Sequence, residues 1–326
     1  MSTALTPPRL TPDDIEAAAR ELREHLSPTP LQLSFALTEK VGCPVHLKIE
    51  SMQPTRSFKV RGALHRVLQI PPADRAAGVI SASAGNHGQG VAYAARALGL
   101  GATVYVPARA NAGKVASMQR LGARVVFHGR TYNDAFLEAR RAQQASGATF
   151  VHAYDDPDVV AGQGSVGVEL LDQLPQVDTV LVPIGGGGLV GGVARYLKAR
   201  RPQVRVIGVE PEGANAMRRS LTAGRIVALS RVETIADGLA ASSPGALTFA
   251  LAEAFVDDVL VVSEAELLRS VRVLLQWEHL LAEPSGAAAT AAVLHHYRPR
   301  PGEQIAVLVT GANVADEVLV QALWTR

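Results

Sequence analysis

An α/β fold with two parallel sheets is predicted for this 326-residue chain. Three observations predict it. Short apolar runs alternate with helix-length segments along most of the chain, and parallel pairing needs a helix's worth of chain for each crossover. The alternation falls into two series with no linker rich in Gly, Ser or Pro between them, so one unit is inserted in the other. The length suits two domains, and a composition with 48% hydrophobic and 19% charged residues can fill two cores. The expected division gives residues 51–149 to a small inserted α/β domain, and residues 1–50 and 150–326 to a large one.

The elements follow in order. The first ten residues are proline-rich and read as loose. Thr11-Pro12-Asp13-Asp14 offers an N-cap, a first-turn proline and two acids before Ile15, Ala18, Ala19 and Leu22, which predicts a helix to about His25 or Leu26. Pro28-Thr29-Pro30 breaks it, and Pro44–Glu50 alternates as a strand. Val60, Leu64, Val67 and Leu68 recur at helical spacing after Gln53-Pro54-Thr55, so Lys59 should open a helix. Beyond Pro71-Pro72, strands at 78–81, 102–106 and 124–127 alternate with helices at 87–98, 114–121 and 132–145. The second series has strands at 149–153, 179–184, 204–209, 259–262 and 304–309, with helices between. The alanine run 287–292 predicts a closely packed helix.

Composition excludes several function classes. A formal charge of +2, with no basic run, gives no case for nucleic acid. The single cysteine, Cys43, cannot form an intramolecular disulfide and points to a reducing compartment. No apolar run is long enough to span a bilayer, and the N-terminal layout is not that of a signal peptide. The expectation is a cytoplasmic protein that meets neither membrane nor nucleic acid.

Three stretches carry chemistry. In Ser57-Phe58-Lys59-Val60-Arg61-Gly62, the lysine stands at a helix N-terminus. The partial positive charge there, with partial burial, disfavours the ammonium and exposes the nucleophilic amine, which can form a Schiff base. Gly185-Gly186-Gly187-Gly188-Leu189 joins a strand to a helix, and its backbone N–H groups make an anion cradle, most naturally for a phosphate. Ser83-Ala84-Gly85-Asn86-His87 also joins strand to helix, and its donors suit a carboxylate; ordinary N-capping by Asn86 is the plainer alternative. A rival reading remains open here: Gly186, Gly188 and Gly191 satisfy G-x-G-x-x-G and Glu210 follows 19 residues on, the spacing of a dinucleotide fingerprint and hence of a nicotinamide-dependent oxidoreductase. That rival leaves the lysine and the carboxylate loop without a role. An aldehyde cofactor bearing a phosphate, acting on an amino acid, uses all three stretches, and pyridoxal 5'-phosphate fits that description.

On these motifs the chain resembles the fold type II pyridoxal-phosphate enzymes with tryptophan synthase beta-like architecture, and within them the threonine/serine dehydratases and serine racemases. The resemblance extends from about residue 10 to 315 and includes Ala161-Gly162-Gln163-Gly164, Glu233–Gly238, Ala282-Glu283-Pro284-Ser285-Gly286 and Thr310-Gly311-Ala312-Asn313. It implies an active site in the cleft between the domains. There Lys59 would carry the cofactor, Phe58 would flank it and Asn86 would bond its ring hydroxyl. Gly185 to Gly188 with Leu189 would hold its phosphate, Gly238 and Glu283 would lie near the ring, and Thr310 would face the pyridine nitrogen. Ser83, Ala84, Gly85 and His87 would line the substrate carboxylate.

A hydroxyl at Thr310 cannot hold a proton on the ring as an aspartate would, which favours loss of a β-hydroxyl over transamination. Ala84 replaces the second acid/base serine of the racemases, so elimination is expected over inversion. Ala216 replaces a carboxylate near the racemases' divalent-cation site, leaving Glu210 and the Ala214 carbonyl as weak metal candidates. Arg56 stands where a glycine is usual, and either faces solvent or selects an acidic substrate such as 3-hydroxyaspartate. About one helix follows Thr310, so an appended regulatory domain is not expected. The function implied is β-elimination from L-threonine or L-serine to a 2-oxo acid and ammonia by a homodimer, with serine racemase or 3-hydroxyaspartate dehydratase as alternatives.

Overall fold

A computed structural model describes residues 10–325; the expectation for residues 1–9 lies outside them. The chain begins with α1 (Pro12–Leu22), β1 (Leu31–Ser34), α2 (Phe35–Val41), β2 (Val45–Ile49) and α3 (Lys59–Leu68). It continues through β3 (Val79–Ala82), α4 (Asn86–Ala97), β4 (Ala102–Val106), α5 (Ala112–Arg120), β5 (Arg124–Phe127), α6 (Tyr132–Ser146) and β6 (Thr149–Phe150). The second series comprises α7 (Pro157–Gln173), β7 (Thr179–Pro183), α8 (Gly188–Arg200), β8 (Arg205–Pro211), α9 (Ala216–Ala223) and α10 (Ala246–Phe255). It ends with β9 (Asp258–Val262), α11 (Glu264–Trp277), α12 (Pro284–His295), β10 (Ile305–Val309) and α13 (Asp316–Trp324).

Two sheets result, as the fold class requires. One has the strand order β1-β2-β10-β7-β8-β9 and the other β5-β4-β3-β6. All pairings are parallel except β1 with β2. Along β10, Ala306 and Leu308 join one core while Ile305, Val307 and Val309 join another. Successive strand residues point to opposite faces, so both faces of the large sheet are covered at β10, which is apolar along its whole length. The small sheet packs around a third core that includes Val60, Leu64, Val91 and Val104.

Two expectations need correction, and one stretch carries no expectation. The strand predicted over 149–153 forms only at Thr149–Phe150 and pairs with β3, so it closes the first series and does not open the second. The α-helix predicted to His25 or Leu26 ends at Leu22, although a turn through Arg23–His25 still delivers Leu26 to the core. The break at Pro28-Thr29-Pro30 stands, and the stretch after it, to which the sequence assigns no element, holds β1 and α2. Their sequence signal is weak because β1 is an edge strand of four residues and α2 buries only Leu37.

The motif Ala161-Gly162-Gln163-Gly164 acquires a purpose in this packing. It lies in α7, which packs against both α3 and α8. A Cβ on Gly162 would come within 2.7 Å of the Arg61 carbonyl, and one on Gly164 within 3.1 Å of the Gly192 carbonyl. Glycine at these positions lets the helix carrying Lys59 and the helix that begins at the glycine loop approach a common spine.

Candidate active site

A cavity of about 440 Å³ lies between the two sheets, within the size range of small-molecule sites. The structure brings together Phe58, Lys59, Ser83, Ala84, Gly85, Asn86, His87, Gly185, Gly186, Gly187, Gly188, Leu189, Gly238, Glu283 and Thr310 along its wall. Glu210, Ala214 and Arg56 are not among the lining residues.

Lys59 is the first residue of α3, as the helical spacing predicts. Its Nζ donates to the Ala153 carbonyl at 3.0 Å and lies 5.1 Å from the centre of the Phe58 ring. Burial lowers its pKa from the ordinary lysine value to about 8, so the free amine is accessible near neutrality. Two residues on, the buried Arg61 anchors the same turn. Its Nε donates to Glu50 at 2.7 Å and its Nη1 to Glu169 at 2.7 Å, while Lys48 Nζ donates to Glu169 at 2.6 Å. Two cations and two carboxylates thus balance inside the protein, and burial does not leave a charge uncompensated.

The glycine loop has the geometry of an anion cradle. Gly187 adopts φ +95°, a left-handed conformation, and caps α8 with no side-chain hydrogen bond. Its own Cβ would stand 2.6 Å from Met217 and 2.9 Å from Thr248. A Cβ on Gly186 would enter the Tyr154 ring. Side chains are excluded, and the uncapped backbone N–H groups at the start of α8 are left to face an anion. The residues therefore fit a phosphate-bearing cofactor.

The carboxylate loop also differs from ordinary capping. Gly85 caps α4, and no side chain caps the helix. Asn86 instead contacts Glu283 through Nδ2 and accepts from Asn313 Nδ2 at 2.8 Å through Oδ1. Its amide is held across the cleft. Burial raises the Glu283 carboxyl to about 7, despite the neighbouring Lys114. Thr310 is buried, donates to the Ser285 carbonyl at 3.3 Å, and its own carbonyl accepts from the Phe58 N–H.

His87 is buried, with Nε2 3.0 Å from the Val151 carbonyl, which requires that nitrogen to carry the proton. Burial, with the nearby Lys59 charge, depresses its pKa to about 3. Stability linked to neutral His87 is therefore fully present above the unfolded value near 6.5 and is lost as the pH falls toward about 3. His87→Gln should make the acid limb of the unfolding profile shallower, read as the pH at half unfolding; an unchanged limb would contradict this placement.

Glu210 is engaged by the backbone of the helix that follows it. It is fully buried and accepts from the backbone N–H groups of Met217 and Arg218, each at 2.9 Å, at the start of α9. A carboxylate at a helix N-terminus satisfies orphan donors, which explains the acid at this spacing without a ribose or a cation. The nicotinamide reading thereby loses its fingerprint acid. Ala214 closes a short turn beside it, and no group of three or more His, Cys, Asp or Glu that could hold a metal ion occurs among the described residues. Arg56 is exposed, at φ +58°. Four residues near the cleft had no assigned role in the sequence: Tyr154 on the glycine loop, Asn313 on Asn86, and the Lys114–Asp237 pair. Asp237 and Asn313 lay within quoted motifs; Lys114, at the start of a predicted helix, carried no signal.

Comparison with known proteins now decides the family. The model described as "Pyridoxal-phosphate dependent enzyme" matches residues 22–311. The chain belongs to the pyridoxal-phosphate dependent enzyme family. Among members of this family, it is 40% identical over 305 residues to the L-threonine ammonia-lyase of Thermotoga maritima, covering 94% of this chain and 76% of that protein. The structure superposes on the threonine deaminase of T.th. with a TM-score of 0.89 at 40% identity, covering 94% of this chain and 99% of the other. Maize serine racemase gives a TM-score of 0.93 at 32% identity, with 97% and 98% covered. The chain is thus a pyridoxal-phosphate enzyme of the lyase class with the fold type II architecture, and pyridoxal phosphate is its cofactor.

Proposed function

We propose that this enzyme is an ammonia-lyase that removes water from L-threonine or L-serine and releases a 2-oxo acid and ammonia. The observation that carries this reading is the convergence of the Lys59 amine and two uncapped helix N-termini on one cavity. Similarity to a protein named L-threonine ammonia-lyase supports the substrate class.

Each residue has a chemical task in this reading. Lys59 would hold the cofactor, with Phe58, Asn86, Gly238, Glu283 and Thr310 as the residues that would surround its ring. Gly185 to Gly188 and Leu189 would hold its phosphate through backbone N–H groups at the start of α8. When bound, the cofactor supplies an electron sink for the substrate α-carbon. The loop Ser83, Ala84, Gly85 and His87 takes the substrate carboxylate at the start of α4. Lys59 Nζ, whose pKa burial lowers to about 8, is the base that would remove the α-proton. The β-hydroxyl leaves as water, and hydrolysis of the resulting enamine gives the oxo acid and ammonia. Ala84 offers no proton donor on the opposite face, which favours elimination over inversion.

The inserted unit, 51–149 by sequence and reaching Phe150 through the pairing of β6, would carry the carboxylate loop; the remainder would carry the glycine loop. A homodimer is supported by exposed apolar side chains at Phe35, Trp277, Leu281, Val320 and Trp324. The segments that bear them are joined by Ser34 to Glu278 and by Arg272 to the Thr325 carbonyl. A cytoplasmic location is supported by the buried free thiol of Cys43. Among the described residues, no helix is long and apolar enough to cross a membrane.

Gly187→Val should weaken uptake of pyridoxal phosphate by about 100-fold, because the left-handed backbone and the contacts to Met217 and Thr248 both resist a side chain. Titration of cofactor-free protein, followed in the visible band, measures this. The function is tested by supplying L-threonine, L-serine, D-serine and 3-hydroxyaspartate and following oxo acid, ammonia and enantiomer. Failure to release oxo acid from either L-substrate would refute it.

A further inference from the structure

The cavity is lined by two lysines, and the reaction proposed above employs only Lys59. Lys114, in the first turn of α5, reaches across the cleft. Its Nζ donates to Asp237 Oδ2 at 2.5 Å and lies 3.7 Å from Glu283 Oε2. The Lys114 side chain is 9% exposed and that of Asp237 59%. Burial opposes the Lys114 charge, but Glu283 and Asp237 outweigh it and raise the pKa, so the ammonium persists at neutral pH. The lysine also borders the carboxylate loop: its Cδ is 4.0 Å from the point where a Cβ on Gly85 would stand.

The other charges of the cleft give this pair a consequence. The lining cations are Lys59 and Lys114, and the lining carboxylates are Asp237 and Glu283. Lys59 is committed to the cofactor, whose phosphate adds negative charge at the glycine loop. His87 is neutral, and Arg56 stands outside the wall. Lys114 is the remaining cation within reach of a substrate, and Asp237 already occupies it.

We propose that Asp237, by holding Lys114, makes this site select β-hydroxy amino acids with uncharged side chains and reject those bearing a second carboxylate, such as 3-hydroxyaspartate. The inference rests on the lyase reading and adds the substrate charge to it. A second carboxylate entering the cleft meets the Asp237 carboxylate and must compete with it for the ammonium. Like charges brought into one cleft oppose binding. An uncharged hydroxyethyl or hydroxymethyl group meets no such opposition.

The test compares kcat/KM for L-threonine and for 3-hydroxyaspartate in the holoenzyme, in Asp237→Asn, in Asp237→Ser and in Asp237→Asn combined with Lys114→Met. Wild type should favour L-threonine by about 100-fold or more, and each single variant should raise the ratio of 3-hydroxyaspartate to L-threonine by about tenfold or more. Adding Lys114→Met should cancel that gain. Parity in wild type, an unmoved ratio in both single variants, or a gain that survives Lys114→Met would overturn the proposal. If wild type releases oxo acid from L-threonine and from 3-hydroxyaspartate equally well, the filter fails while the lyase reading stands; if it releases oxo acid from neither L-threonine nor L-serine, the lyase reading fails and the filter with it.

Discussion

Replacement of Lys59 by alanine is expected to remove both the visible absorbance of a lysine-bound cofactor and at least about 10³-fold of the ammonia-releasing activity. The two losses have different causes. The absorbance requires a covalent link that only a primary amine at this position supplies. The activity requires a base at the substrate α-carbon, and Lys59 is the lining group whose amine is brought close to neutrality, at about 8. Glu283 is held to Asn86, and His87 is depressed to about 3. The alanine variant should keep its fold, because Arg61 rather than Lys59 anchors the first turn of α3. Ammonia release that survives in Lys59→Ala would disprove the assignment.

Arg61→Ala should have the largest effect on stability, a loss of about 3–5 kcal/mol in denaturant unfolding. The guanidinium holds Glu50 and Glu169 with bidentate geometry at 2.7–2.8 Å on each side. Its removal leaves two buried carboxylates with Lys48 as their sole charged partner in the cluster. Burial that was compensated becomes costly. Because the cluster joins β2, α3 and α7, the same change should loosen the seat of Lys59 and weaken cofactor retention. An unfolding midpoint within error of wild type would show that the cluster does not hold the helix.

What could be read in the sequence, and what could not, follows the range of the interactions. Lys59, the glycine loop and the Ser83–His87 loop each declare their chemistry within a few residues, because a strand, small residues and a helix start dictate exposed N–H groups locally. The position of Lys59 at the start of α3 and the strands Ala102–Val106 and Arg124–Phe127 were legible for the same reason. The Lys114–Asp237 pair spans 123 residues, and no local pattern links its members. Glu210 shows the converse hazard: its spacing from the glycines imitates a ribose-binding acid, yet the amides of the next helix engage it. The pairing of β6 with β3 likewise turns on which sheet edge lies nearby, a tertiary fact that two residues of strand cannot encode.

The central claim is that Lys59 in this cleft eliminates and does not invert. The most direct measurement incubates the holoenzyme with L-serine and follows pyruvate, ammonia and D-serine together. The account predicts pyruvate and ammonia in equal amounts, with D-serine absent throughout the time course. Accumulation of D-serine without ammonia would contradict it.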